Sequence, residues 1–197
     1  EFRGDNLSGL TYEMRIYVDG CLAATKLMDI SWMPVPIWNK VRSKGLKFVE
    51  NFSEITYSPS PAKLELKSLL GRENTDNLVL HPVEEINNQF TAKLHVNDTH
   101  PAMFDHPLDH VPGMLLIEAF RQMSFYSIQK KYGLSHSDVY MKDCDIEFTK
   151  FTELKIDSAC HLNEISVDEA SNEISLLLST TKNNAITAKC HVRIARK

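Results

Sequence analysis

The stretch FDHPLDHVPGMLLIEAFRQM, Phe104 to Met123, decides how the chain is read. Its second half opens at Pro112-Gly113, stays apolar on most of its circumference and stops at Gly133, which predicts a long helix over 112–132. Such a helix cannot lie on a surface, because too little of it is polar. It needs a curved sheet wrapped around it. Yet Glu118 sits in its middle, and a carboxylate in a buried helix is rare unless it is paired or used in chemistry.

The flanking sequence supplies that sheet. Before the helix, QFTAKLHVN alternates Phe90, Ala92, Leu94 and Val96 with polar neighbours, as a half-buried strand does. After it come three or four strands, the clearest being KIDSACHL, EISLLLST and ITAKCHVRIA, the last two joined by a polar KNN turn. Residues 84–197 therefore read as an α+β domain of hotdog type, a long central helix wrapped by a curved antiparallel sheet. Upstream, residues 12–30 read as a hairpin turning at Asp19-Gly20, with CLAATKLMDISW as its second arm and PVPIWNKVRSKG as a short helix after it. Residues 1–45 are thus expected to be the C-terminal part of an incomplete first hotdog repeat, without its own long helix or opening strand. Residues 46–83, punctuated by SPSPAK and GRENTDN, are expected to be a connector packed on the surface.

Composition narrows the function classes. With 197 residues, 43% of them hydrophobic and 24% charged, the chain has the make-up of a soluble globular protein. A formal net charge of −4 gives no basic field for nucleic acid. No apolar run approaches the ~20 residues of a membrane span, and the N-terminus lacks a secretory layout, so a cytoplasmic location is expected. Cys21, Cys144, Cys160 and Cys190 form no CxxC pair, so neither zinc nor a disulfide framework is expected; Cys160 and Cys190 read as small buried residues in strands. His100, His106 and His110 do not make a convincing metal set, since no thiolate joins them and prolines break their spacing. No metal and no cofactor is expected. The start at Glu1 rather than Met leaves the native start open, and the chain reads as a piece of something longer.

Chemistry concentrates around the opening stretch. Glu118, Arg121 and Gln122 lie at i, i+3 and i+4, and Phe125 continues their stripe. Asp105, His106, Asp109 and His110 occupy the loop that feeds the helix N-terminus, where Gly113 lets a substrate approach free backbone donors. Those donors and the helix dipole favour negative charge developing on a thioester carbonyl oxygen. A histidine near a buried carboxylate would supply an acid/base pair, with burial expected to raise the Glu118 pKa. The plain alternative for Glu118 is a structural ion pair with Arg121, and for Asp109 a role satisfying backbone donors.

HPLDHVPGMLLIEAFRQ resembles the signature of the A-factor biosynthesis hotdog family, the gamma-butyrolactone autoregulator synthases. LLGRENTDNLVL and DTHPAMFDHP resemble that family's segments upstream of the same helix. More distantly, PGMLLIEAFRQ is similar to the central helix of hydroxyacyl-ACP dehydratases; there Glu118 matches the catalytic acid, Gln122 its helix companion, and His106 the catalytic histidine across a loop two residues shorter. The resemblance implies acyl transfer from a beta-ketoacyl-ACP thioester to the hydroxyl of dihydroxyacetone phosphate or a similar small alcohol, on the way to a butyrolactone or butenolide signal. It implies His106 and Glu118 as catalytic groups and the Gly113 N–H as oxyanion donor. Arg121 and Arg72 would be phosphate partners, with Gln122, Asp105, Asp109, His110 and Phe125 lining the substrate site.

Two alternatives stay open on the same residues, a dehydratase or thioesterase on acyl-ACP or acyl-CoA, and a non-catalytic module that binds acyl groups or docks a carrier protein. The expected partners are an acyl carrier protein or acyl-CoA and a small phosphorylated alcohol. An isolated second repeat would also leave a sheet edge open, so either a homodimer or a missing first-repeat segment is expected.

Overall fold

The computed structural model describes residues 2, 3, 6 to 46, 69 to 87 and 89 to 197. They fall into two compact units, Glu1–Phe48 and Val49–Lys197.

In the first unit, short strands β1 (Phe2–Arg3) and β2 (Asn6–Leu7) pair with each other. The long hairpin follows as β3 (Gly9–Val18) and β4 (Cys21–Ser31), in register from Gly9↔Ser31 to Val18↔Cys21. Asp19 and Gly20 turn it with φ of 50° and 78°, as the Asp-Gly pair implies. Helix α1 (Val35–Leu46) starts behind Pro34, whose carbonyl accepts from the Ile37 and Trp38 N–H groups, and runs one residue past the expected stop at Gly45. The hairpin's apolar stripe, Tyr12, Met14, Ile16 and Val18, is exposed.

The second unit contains a six-stranded antiparallel sheet around one helix. Its elements are β5 (Glu84–Ile86), β6 (Gln89–Lys93), α2 (Gly113–Tyr132), β7 (Val139–Phe148), β8 (Ser158–Asp168), β9 (Glu173–Lys182) and β10 (Ala185–Arg196). The strand order is β5-β6-β8-β9-β10-β7. The alternation seen in the sequence selects the inner face: Phe90 and Ala92 from β6, Cys160 and Leu162 from β8, Leu176 and Leu178 from β9, and Cys190, Val192 and Ile194 from β10 are all buried. Against them α2 buries Leu115, Ala119, Phe120, Met123 and Ile128. Each fully buried side chain of this size contributes about 1.5–3 kcal/mol relative to exposure, so the helix is held by its packing rather than by propensity. Ser124 and Ser127, also buried, donate to the carbonyls of Phe120 and Met123 one turn back, which satisfies their hydroxyls inside the core. Gly133, left-handed at φ 69°, ends the helix by donating its N–H to the Gln129 carbonyl.

Two regions differ from the sequence expectation. SPSPAK and the rest of 47–68 lie outside the described residues, but the remainder of the supposed surface connector belongs to the core: Leu70, Leu78, Val79 and Leu80 are buried. Residues 79–81 run beside 93–95, with the His95 N–H donating to the Val79 carbonyl and the His81 N–H to the Lys93 carbonyl. The segment is fixed by backbone pairing, which leaves little periodic signature. The second difference is β7, the edge strand beside β10, whose sequence VYMKDCDIEF was not singled out.

Candidate active site

The loop before α2 is fastened at both ends. At its start the Phe104 N–H donates to the His100 carbonyl over 2.8 Å and the Phe104 side chain is buried. At its end His110 bridges Glu153, and the Val111 N–H donates to the Thr152 carbonyl over 2.7 Å. Between these anchors stand two Asp–His dyads: Asp105 Oδ1 to His106 Nδ1 and Asp109 Oδ1 to His110 Nδ1, each 2.7 Å. The two differ in enclosure. The His106 side chain is 64% exposed and that of His110 only 20%. The His110 ring also meets Phe151 edge-on at 4.8 Å. A carboxylate on Nδ1 favours the tautomer with a hydrogen there, leaving Nε2 as the basic nitrogen.

Pro112 ends this loop in extended geometry and α2 begins at Gly113. The first N–H groups of the helix have no acceptor within it. A Cβ placed on Gly113 would lie 3.2 Å from Phe148 Cζ, so the ring of Phe148 on β7 walls the helix N-terminus and glycine keeps the space between them open.

One and a half turns further along, Glu118 is 7% exposed and accepts from three side chains. Arg72 grips it with Nε on Oε1 at 2.9 Å and Nη2 on Oε2 at 2.6 Å. Arg121 grips it as well, Nε on Oε2 at 2.9 Å and Nη2 on Oε1 at 3.0 Å. Gln122 adds Nε2 on Oε1 at 2.7 Å. Burial pushes the carboxyl up, as the sequence reading expected, but the hydrogen bonds of Arg121 and Arg72, the Arg121 charge and Gln122 together outweigh it and hold the group below its ordinary value. Glu118 is therefore an anion in this fold. The expectation of a raised pKa fails because Arg72 joins Arg121 on the same carboxylate.

The neighbours of this cluster fix it in place. Gln122 is fully buried; its Nε2 also donates to the Asn77 carbonyl over 2.8 Å, and its Oε1 accepts the Val79 N–H over 3.1 Å. The Arg121 Nη2 reaches the Leu70 carbonyl at 3.4 Å, and its Cζ lies 5.1 Å from the Phe125 ring centroid. Arg72 follows Gly71, which has φ 61° and packs so closely on His136 that a Cβ would lie 2.4 Å from the ring. His100 is buried, and its Nε2 lies 3.0 Å from Asn77 Oδ1.

The residues singled out in the sequence therefore gather in two places. Glu118, Arg121, Arg72, Gln122 and Phe125 form one cluster; Asp105, His106, Asp109, His110 and Gly113 stand around the start of the same helix. Asn77, Phe148, Phe151 and the buried Glu153, which pairs with Lys182 at 3.2 Å, were not anticipated. Only Asn77 left a trace, in the turn-forming run NTDN; the others are brought in by strand pairing. Among the described residues no three metal-ligating side chains converge, and no helix is long and apolar enough to cross a membrane.

A model of the A-factor biosynthesis hotdog domain matches residues 58–195. A 2-oxo-3-(phosphooxy)propyl 3-oxoalkanoate synthase of Streptomyces virginiae is 32% identical over 120 residues, covering 61% of this chain and 37% of that protein. Synthases of the same name from Streptomyces coelicolor and Streptomyces griseus are 46% identical over 52 residues and 38% over 81, covering 26% and 41% of this chain and 16% and 24% of theirs. The chain thus spans little more than a third, at most, of the relatives it matches. Among solved structures, a hypothetical thioesterase from Streptococcus pneumoniae with coenzyme A superposes with a TM-score of 0.48 at 13% identity, over 59% of this chain and 84% of that one. The E. coli PaaI protein of the phenylacetic acid degradation operon gives 0.48 at 11%, over 68% and 89%.

Proposed function

The chain belongs to the A-factor biosynthesis hotdog family, and from that premise we propose that it carries the site at which a 3-oxoacyl group passes from a carrier thioester to the hydroxyl of a small phosphorylated alcohol. The observation that carries this reading is the family match itself, because it spans the loop, the helix and the sheet that hold every candidate group. The relatives' name describes their product, a 3-oxoalkanoate ester of a three-carbon ketone bearing a phosphooxy group. A thioester acyl donor and a hydroxyl acceptor are the simplest pair that yields such a bond.

The reaction we assign to these groups runs as follows. The acceptor oxygen attacks the thioester carbon, forming the C–O bond while the carbonyl oxygen becomes negative. The Gly113 N–H and the positive end of α2 stabilise that oxygen. His106, with Asp105 on its Nδ1, takes the hydroxyl proton at Nε2 and returns it to the thiolate as the C–S bond breaks. His110 and Asp109 form the second dyad of this entrance and orient the acceptor. Glu118, ionised and held by three donors, acts by positioning rather than by proton transfer.

The test is to incubate the protein with a 3-oxoacyl carrier-protein thioester and dihydroxyacetone phosphate and to follow the products by mass spectrometry. The phosphorylated ester is the expected product. Free 3-oxo acid or a dehydrated acyl chain in its place would assign a thioesterase or dehydratase, and unaltered thioester a binding module.

A further inference from the structure

We propose that Arg72 and Arg121, both held on Glu118, form the receptor for the phosphate monoester of the acceptor. This rests on the acyl-transfer reading and assigns the recognition step within it. A structural ion pair would need one arginine. Here, among the described residues, two guanidinium groups share one carboxylate, which leaves one positive charge of the cluster without a carboxylate of its own. An unbalanced cation at a partly buried position is costly unless an anion completes it.

The geometry also leaves the right donors over. Both arginines use Nε and Nη2 on Glu118. Among the described residues neither Nη1 makes a hydrogen bond, while the two side chains are 33% and 23% exposed. Two charge-assisted donors therefore remain on a fixed, partly exposed base, and a guanidinium donor suits a phosphate oxygen. The base is rigid because Glu118 is fixed by Gln122 and Arg121 by the Leu70 carbonyl and the Phe125 ring. Binding thus has little side-chain freedom left to lose.

Position along the helix fits the same assignment. Gly113, Ile117 and Arg121 follow one another at i, i+4 and i+8, so Arg121 stands about 12 Å along the axis from the oxyanion donors. Its side chain leans toward the helix N-terminus.

The experiment is calorimetric titration of the full chain with inorganic phosphate, repeated with Arg72→Met and Arg121→Met. Saturable binding by the wild type, weakened about tenfold or more in each variant, is the expected result. No saturable binding up to about 20 mM, or equal affinity in all three proteins, would overturn the proposal. Since a methionine variant removes a charge that Glu118 pairs with, Arg72→Lys and Arg121→Lys serve as a second pair, with the fold of each checked by circular dichroism. They keep the charge and stem but lose the fork, and a several-fold loss of phosphate affinity is expected of them, whereas a merely structural pair predicts none. The activity arm separates this proposal from the reading beneath it. Equal ester formation from dihydroxyacetone and its phosphate sinks the phosphate receptor and leaves acyl transfer standing. Phosphate binding that depends on both arginines, with no ester from any 3-oxoacyl thioester, does the reverse.

Discussion

Glu118 accepts hydrogen bonds from Arg72, Arg121 and Gln122, and its proton affinity is lowered for that reason. A carboxyl whose folded pKa is depressed stabilises the fold fully above its unfolded value, about 4.3 for Glu, and loses that contribution as pH falls through the folded value. Glu118→Gln is therefore expected to cost roughly 2–3 kcal/mol near neutral pH. The difference from wild type should shrink as pH drops below about 4. Urea midpoints measured across pH check this, and a gap of constant size would contradict it. Gln122→Leu is expected to cost about 2–3 kcal/mol near neutral pH, because it strips partners from the buried Val79 N–H, the Asn77 carbonyl and the Glu118 carboxylate, and only the last part should fade in acid. At Gly113 the expectation is reversed. Gly113→Ala should fold normally, since alanine suits a helix, but lose about tenfold or more in turnover as its methyl fills the gap toward Phe148. The identity of these residues was legible from spacing on one helix face. The sign of the Glu118 shift was not, because it depends on Arg72, whose contact spans 46 residues.

Among the elements, α2 and the strands with clean alternation were readable, since one buried face imposes a period of 3.6 or 2 on the sequence. The expected helix over 112–132 and the observed Gly113–Tyr132 agree because Pro112 and Gly133 act locally. β7 escaped for the opposite reason. It is an edge strand, and Lys142, Asp143, Asp145 and Glu147 place charge along it in the way edges resist further pairing, which hides the apolar Ile146 and Phe148. Residues 69–81 escaped because their burial rests on individual contacts, Gly71 against His136 and Gln122 against Asn77 and Val79. Gly71→Ala tests that account. Its left-handed backbone costs a non-glycine residue about 1–2 kcal/mol, and the new Cβ displaces His136. A loss of that size in thermal unfolding, accompanied by weaker phosphate binding through Arg72, is expected. Unchanged stability would mean that the segment relaxes freely.

For the whole molecule, the described residues of the hydrophobic core cluster lie between Leu69 and Ile194, and every candidate site residue lies between Arg72 and Phe125. The core and the site therefore belong to the second compact unit, the one that contains the family match. The hairpin of the first unit has Tyr12, Ile16, Tyr17 and Leu27 exposed, and an isolated two-stranded ribbon is marginal in water. The described residues of the hydrophobic core cluster all belong to the unit Val49–Lys197. A chain of residues 49–197 alone is expected to unfold in a single urea transition within about 1 kcal/mol of the parent. It should bind inorganic phosphate as the parent does, because Arg72, Glu118 and Arg121 are all retained. Removing the exposed ribbon should also lower the tendency to associate at high concentration, measurable by light scattering. A broad transition together with lost phosphate affinity would show that residues 1–48 complete the core or the site, and would move the boundary of the functional unit toward the N-terminus.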